Sequence, residues 1–131
     1  MSRKKILLVD DSGVALMMEK MILQREAYDL VTAKNGHEAV ESARRERPDL
    51  VLLDLVMPGM DGLETCAQLR GMEETRETPV IMVTTRGEAS YVEQAYELGC
   101  TDYVTKPVNS LELLTKVRNC LAGAEEGGAD S

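Results

Sequence analysis

Short apolar runs constrain this chain most, because each of the main ones stops at a residue able to do chemistry. Ile6-Leu7-Leu8-Val9 runs into Asp10-Asp11, and Leu50-Val51-Leu52-Leu53 into Asp54. Val80-Ile81-Met82-Val83 runs into Thr84-Thr85, and the β-rich Tyr103-Val104-Thr105 into Lys106-Pro107. A weaker run spans Asp29 to Ala33, and the fifth begins at Asp102. Each is strand-length, and most lack polar alternation. Strands covered on both faces read this way, which is the habit of parallel sheets under helices.

The intervening segments have helical period. Val14, Met17, Met18, Met21 and Ile22 are read as one buried face, followed by Leu63, Cys66 and Leu69, then Val92, Ala95 and Tyr96, then Leu111, Leu114, Val117 and Leu121. Ser12 can cap the first helix, Asn35-Gly36 turns into the second, and Pro48 follows it. Gly99 follows the fourth helix, and Asn109 or Ser110 can cap the fifth. Strand and helix thus alternate five times, predicting a doubly wound α/β sheet with right-handed crossovers. The 131 residues suit one domain, read as 1–121, followed by a flexible tail or linker at 122–131, where AGAEEGGADS has no large apolar residue. Phe and Trp are absent, so aliphatics and eight Met must fill the core.

Composition excludes several functions. The net charge of −8 argues against direct binding to a nucleic-acid backbone, which rewards clustered Lys and Arg. No apolar run approaches the length of a membrane span, and none suits insertion. Three well-separated cysteines fit neither a metal pair nor a disulfide framework and suit the reducing cytoplasm. Three of the excess negative charges fall in the tail, at Glu125, Glu126 and Asp130, and three more at the strand ends, at Asp10, Asp11 and Asp54.

In an open α/β sheet, ligands bind beyond the carboxyl ends of the strands. That edge therefore gathers three carboxylates, the Thr84 hydroxyl and the Lys106 ammonium. Crowded carboxylates resist joint ionisation, and a divalent cation relieves the conflict. Oxygen-only ligands select a hard ion, so Mg²⁺ is the expected cofactor. A carboxylate can form an acyl phosphate, and the phosphoryl group in flight needs positive charge and in-line positioning. Lys106 and the cation would supply the charge, with Thr84 donating to a phosphoryl oxygen.

These residues resemble the receiver domain of bacterial two-component response regulators, of the single-domain chemotaxis type. The signature is Asp10-Asp11, Asp54, Met57-Pro58-Gly59-Met60-Asp61-Gly62, Thr84, and Tyr103 ahead of Lys106-Pro107, spread over about residues 4 to 121. The resemblance implies a flavodoxin-like (βα)5 fold with strand order 2-1-3-4-5. It implies that Asp54 accepts a phosphoryl group from a histidine kinase or histidine phosphotransfer protein. Asp11, Asp54 and the backbone carbonyl of Val56 would bind Mg²⁺, with Asp10 acting through a water. Lys106 would pair with the phosphoryl group and precede a cis bond to Pro107. Thr84 and Tyr103 would form a switch that remodels the face of fourth helix, fifth strand and fifth helix for a downstream protein. Val56 and Arg86, each two residues beyond a site residue, would set the lifetime of the phosphorylated form.

Two rivals share the chemistry. A haloacid-dehalogenase-like aspartyl-phosphate phosphatase expects two Asp separated by one residue, whereas Asp10 and Asp11 are adjacent and Ser12 follows. A degenerate receiver, serving only as a constitutive binding module, would not need the intact acidic pair, Asp54, Thr84 and Lys106. A nucleotide-binding Rossmann domain lacks its glycine-rich loop here. Simpler readings suit the remainder: Asp61 as a cap, Gly62 as backbone freedom, His37 near an exposed helix start, Arg44, Arg45 and Arg47 as a solvated face.

Overall fold

The computed structural model describes residues 3–85 and 89–130, with side-chain surroundings through Gly123 except at Ala89. The apolar run Ile6–Val9 forms the buried part of β1 (Lys4–Val9), where no residue is more than 1% exposed. The other strands are β2 (Tyr28–Ala33), β3 (Leu50–Asp54), β4 (Val80–Thr84) and β5 (Asp102–Thr105). All pair in parallel, in the order β2-β1-β3-β4-β5. Central β3 and β4 are buried throughout, whereas edge strand β2 is mostly half-exposed.

The helices are α1 (Gly13–Leu23), α2 (Gly36–Glu46), α3 (Gly62–Gly71), α4 (Ala89–Glu97) and α5 (Ser110–Asp130). Successive strand residues face opposite ways, so the sheet builds two cores. Leu7, Val9, Val51, Leu53 and Met82 meet Ala39 and Ala43 of α2, Cys66 and Leu69 of α3, and Ala95 of α4. Ile6, Leu8, Leu50, Leu52, Ile81 and Val83 meet Leu16, Ile22 and Leu23 of α1, and Leu113, Leu114, Val117 and Leu121 of α5. Aliphatics do the filling, as the missing Phe and Trp require.

Caps sit where turn chemistry places them. Ser12, Asn35, Asp61 and Asn109 each accept a backbone N–H three residues on, closing the starts of α1, α2, α3 and α5. Gly99 takes φ +101 after α4.

Helix faces depart from the sequence reading in three places. Of the stripe assigned to α1, only Ile22 is buried; Val14, Met17, Met18 and Met21 are 48–63% exposed. The buried stripe is Leu16, Glu19, Ile22 and Leu23. Apolar residues surround most of this helix, so periodicity alone could not choose the seam. Met57, Met60 and Met82 fill the core, but the three α1 methionines do not. Tyr96 and Leu111 are also exposed, at 44% and 73%, while Leu113 takes the buried position on α5. Finally, α5 continues past the Leu121 boundary to Asp130, although Leu121 is its last buried residue before exposed Ala122 and Gly123.

Candidate functional site

Strand register assembles the site. Val9 pairs with Leu53, so the next residues, Asp10 and Asp54, end adjacent strands side by side. The chain leaves β1 outward to β2 and returns to β3 on the other side, so this pair flanks the point where strand order reverses. Thr84 ends β4 opposite Thr105 of β5, and Lys106 follows at once. The Lys106–Pro107 bond is cis.

Lys106 reaches back over the sheet edge. Its Nζ lies 3.1 Å from Asp10 Oδ2 and 3.3 Å from Asp54 Oδ1. Asp10 is fully buried, and its Oδ1 accepts the backbone N–H of Ser12 at 2.9 Å. Its Oδ2 is close enough to Lys106 for an ion pair, yet no donor is aligned to hydrogen-bond it. Asp11 is exposed. One carboxylate oxygen from each of Asp10, Asp11 and Asp54 falls within 4.8 Å of the others, close enough to share a metal ion. Oxygen donors alone, with one buried oxygen lacking an aligned donor, fit a hard cation.

Electrostatics follow from this crowding. Burial pushes the Asp54 carboxyl up to about 6, neighbouring Asp10 adds to the rise, and Lys106 opposes it. Burial pulls the Lys106 ammonium down, but contact with Asp10 and Asp54 outweighs it, so its pKa is raised. Lys106 therefore stays charged at neutral pH.

The sequence reading missed Glu19. This α1 residue is 2% exposed, and its Oε1 has no hydrogen-bond partner. Burial, aided by Asp10, pushes its carboxyl up to about 8. The signal was present, since residues 16, 19, 22 and 23 share a face, but the neighbouring methionine stripe masked it.

The remaining predicted residues are spread around this centre. Thr84 is buried at the end of β4, and its hydroxyl donates to the Thr85 carbonyl at 3.3 Å. Tyr103 is half-buried on β5. Its ring meets Tyr96 of α4 edge-on at 6.2 Å, and Lys116 of α5 lies 5.0 Å from its centroid. Lys116 also donates to the Tyr103 carbonyl and pairs with Asp102 at 3.4 Å and Glu112 at 3.6 Å. Val56 is 58% exposed on the β3–α3 loop and shares a cavity of about 410 Å³ with Tyr91 of α4. Arg86 lies outside the described residues. Asp61 caps α3 as expected, but Gly62 supplies room rather than freedom: a Cβ there would fall 2.5 Å from the Asp54 carbonyl oxygen.

Known proteins resemble this chain in sequence and fold. A family profile described as the response regulator receiver domain matches residues 6–118. Protein PilH of Pseudomonas aeruginosa is 39% identical over 119 residues, covering 91% of this chain and 98% of PilH. The transcriptional regulatory protein ResD of Bacillus subtilis is 41% identical over 122 residues, covering 93% of this chain and 50% of ResD. The chain thus spans about half the length of ResD, and likewise of the Bacillus subtilis regulator PhoP. Among solved structures, chemotaxis protein CheY4 of Vibrio cholerae superposes with a TM-score of 0.86 at 31% identity, covering 91% of this chain and 99% of that one. A CheY-like receiver domain protein from Methanospirillum hungatei gives 0.89 at 30%, covering 96% and 99%.

Proposed function

The chain belongs to the response regulator receiver domain family, and on that premise we propose that Asp54 is the phosphoacceptor of a Mg²⁺-dependent signalling switch. The observation that carries this is the bridge of Lys106 between Asp10 and Asp54, beside a three-carboxylate cluster. Asp10, Asp11 and Asp54, with the Val56 backbone carbonyl, would hold Mg²⁺. Bound there, the ion would offset the carboxylate charge and draw electron density from the phosphoryl oxygens.

The chain's own residues supply the rest. A carboxylate oxygen of Asp54 attacks phosphorus of the donor's phosphohistidine. The new O–P bond forms as the P–N bond breaks, and the electron pair leaves with the donor's imidazole. With its pKa near 6, Asp54 is mostly ionised at neutral pH and so nucleophilic. Lys106, its charge intact and its side chain within reach of Asp54, holds a transferred oxygen. The product carries nearly one more negative charge than the carboxylate it replaces. The Thr84 hydroxyl moves to that charge, and Tyr103 follows inward, shifting a two-state equilibrium.

The downstream partner binds the α4-β5-α5 face. Tyr103 meets residues of both flanking helices there, and Tyr91, Tyr96, Leu98 and Leu111 lie exposed. The phosphoryl donor is a histidine kinase or histidine phosphotransfer protein. Three unpaired cysteines suit a cytoplasmic site of action. Among the described residues, no helix is long and apolar enough to cross a membrane. The adjacent acidic pair sets the chain apart from a haloacid-dehalogenase-like phosphatase, and the family match agrees.

The test is intact mass after incubation with Mg²⁺ and acetyl phosphate. One phosphoryl group should be gained, and Asp54→Ala should abolish the gain. Phosphate on another residue, or retention in Asp54→Ala, would overturn the assignment.

A further inference from the structure

Glu19 belongs to the same corner of the molecule yet has no part in the mechanism above. A cavity of about 120 Å³ lies between α1 and the loop after β5, lined by Ala15, Met18, Glu19, Lys106, Pro107 and Val108. Its lining is almost wholly apolar apart from the two charged side chains. Glu19 is 2% exposed, and one of its carboxyl oxygens has no hydrogen-bond partner. A buried polar atom left without a partner costs free energy and is retained only where something else offsets it. Lys106, whose flexible side chain is 28% exposed and ends in an ammonium donor, lines the same space.

Lys106 itself is placed where a cation would enter. Two of the three carboxylates of the cluster are its ion-pair partners, at 3.1 and 3.3 Å. A divalent ion and an ammonium cannot share these oxygens without strong repulsion. The longer, flexible side chain must yield, and it needs an acceptor to yield to.

We propose that Glu19 is a positioning residue for Lys106, a second station that accepts its ammonium when a divalent cation enters the Asp10, Asp11 and Asp54 cluster. The unpartnered oxygen and the shared cavity supply the acceptor and the space. A carboxyl oxygen accepts a hydrogen bond whether or not the group is ionised, so the station works in either state. Arrival of a phosphoryl group then draws Lys106 back to the Asp54 side. The proposal rests on the reading of the acidic cluster as a Mg²⁺ site.

Calorimetric titration of the whole chain with MgCl₂ tests both and separates them. Wild-type protein should bind one ion; absence of binding would sink the metal-site reading and this proposal with it. Glu19→Leu should weaken binding about tenfold, the worth of one hydrogen bond to a charged group, while Glu19→Gln keeps an acceptor and most of the affinity. In Lys106→Ala the Glu19→Leu change should have no effect, because no ammonium remains to be housed. Wild-type affinity in Glu19→Leu would overturn the proposal. So would an equal loss in both backgrounds, which would mean that Glu19 acts by charge alone. Should Glu19→Leu fail to fold, the wild-type protein still decides. With ¹⁵N-labelled lysine, the Lys106 ammonium resonance, identified by its loss in Lys106→Ala, should move on Mg²⁺ addition. An unmoved resonance would refute displacement.

Discussion

At the scale of single residues, the β3–α3 loop is held to the acceptor by the absence of a side chain. A Cβ on Gly62 would lie 2.5 Å from the Asp54 carbonyl oxygen and 2.7 Å from Leu55 Cα, both backbone atoms with little freedom to move. Gly62→Ala should therefore destabilise the fold by roughly 1–3 kcal/mol, as overpacking does, and slow phosphorylation by displacing Asp54. Urea unfolding and phosphorylation kinetics read the two effects; wild-type values in both would mean the loop yields freely. Val56 poses the opposite case. It is exposed, two residues beyond Asp54, and its side chain has no polar atom to orient an attacking water. Val56→Asn should speed decay of the phosphorylated form by roughly tenfold, a small share of what positioning can supply. Equal decay rates would refute the role of this position.

Among the elements, α1 shows where sequence patterns lose their power. Strand ends were legible because each short apolar or β-rich run stops abruptly at a polar residue or turn signal: Asp10, Asp54, Thr84 and Lys106 all stand at the carboxyl edge. The face of α1 was not, because apolar side chains lie nearly all round it, and only packing against β1 and α5 selects Leu16, Glu19, Ile22 and Leu23. The error hid Glu19, since a charged residue on the supposed outer face attracts no notice. On α5, Leu111 and Leu113 exchanged roles for the same reason. Strand order was legible through family resemblance rather than through periodicity, which carries no information about neighbours. Mutation separates the two stripes of α1. Leu16→Ala, at a 5% exposed position, should cost about 2–5 kcal/mol. Met17→Ala, at 55% exposure, should change stability by no more than about 0.5 kcal/mol. The reverse ranking in thermal or urea unfolding would restore the stripe first read from the sequence.

For the whole molecule, the acidic edge makes stability depend on pH in an unusual sense. Asp54 rises from its ordinary 3.8 to about 6, and Glu19 from 4.5 to about 8, both chiefly by burial. Between these ordinary and folded values the folded chain keeps protons that the unfolded chain has released. Stability must then fall as pH rises, because the native state binds more protons across that window. The loss begins near pH 4, continues to about pH 8 and levels off above. Lys106, raised from 10.5, contributes stability lost only at higher pH. Glu46, lowered by Lys5, acts only below about 4.5. Neither disturbs the window. Melting temperatures of the metal-free protein should therefore decline from pH 5 to 8. Glu19→Gln should abolish most of the decline above about pH 7, where Asp54 is mostly ionised, and reduce it without abolishing it between about pH 5 and 6, where both groups contribute. Saturating Mg²⁺ should flatten the curve further, since a cation that binds only the folded cluster is held more tightly as its carboxylates lose protons. A Glu19→Gln profile parallel to the wild type would show that the buried carboxyl does not titrate in this range. A decline that Mg²⁺ leaves untouched would show that the charge deficit at the strand ends is not the place where the cation binds.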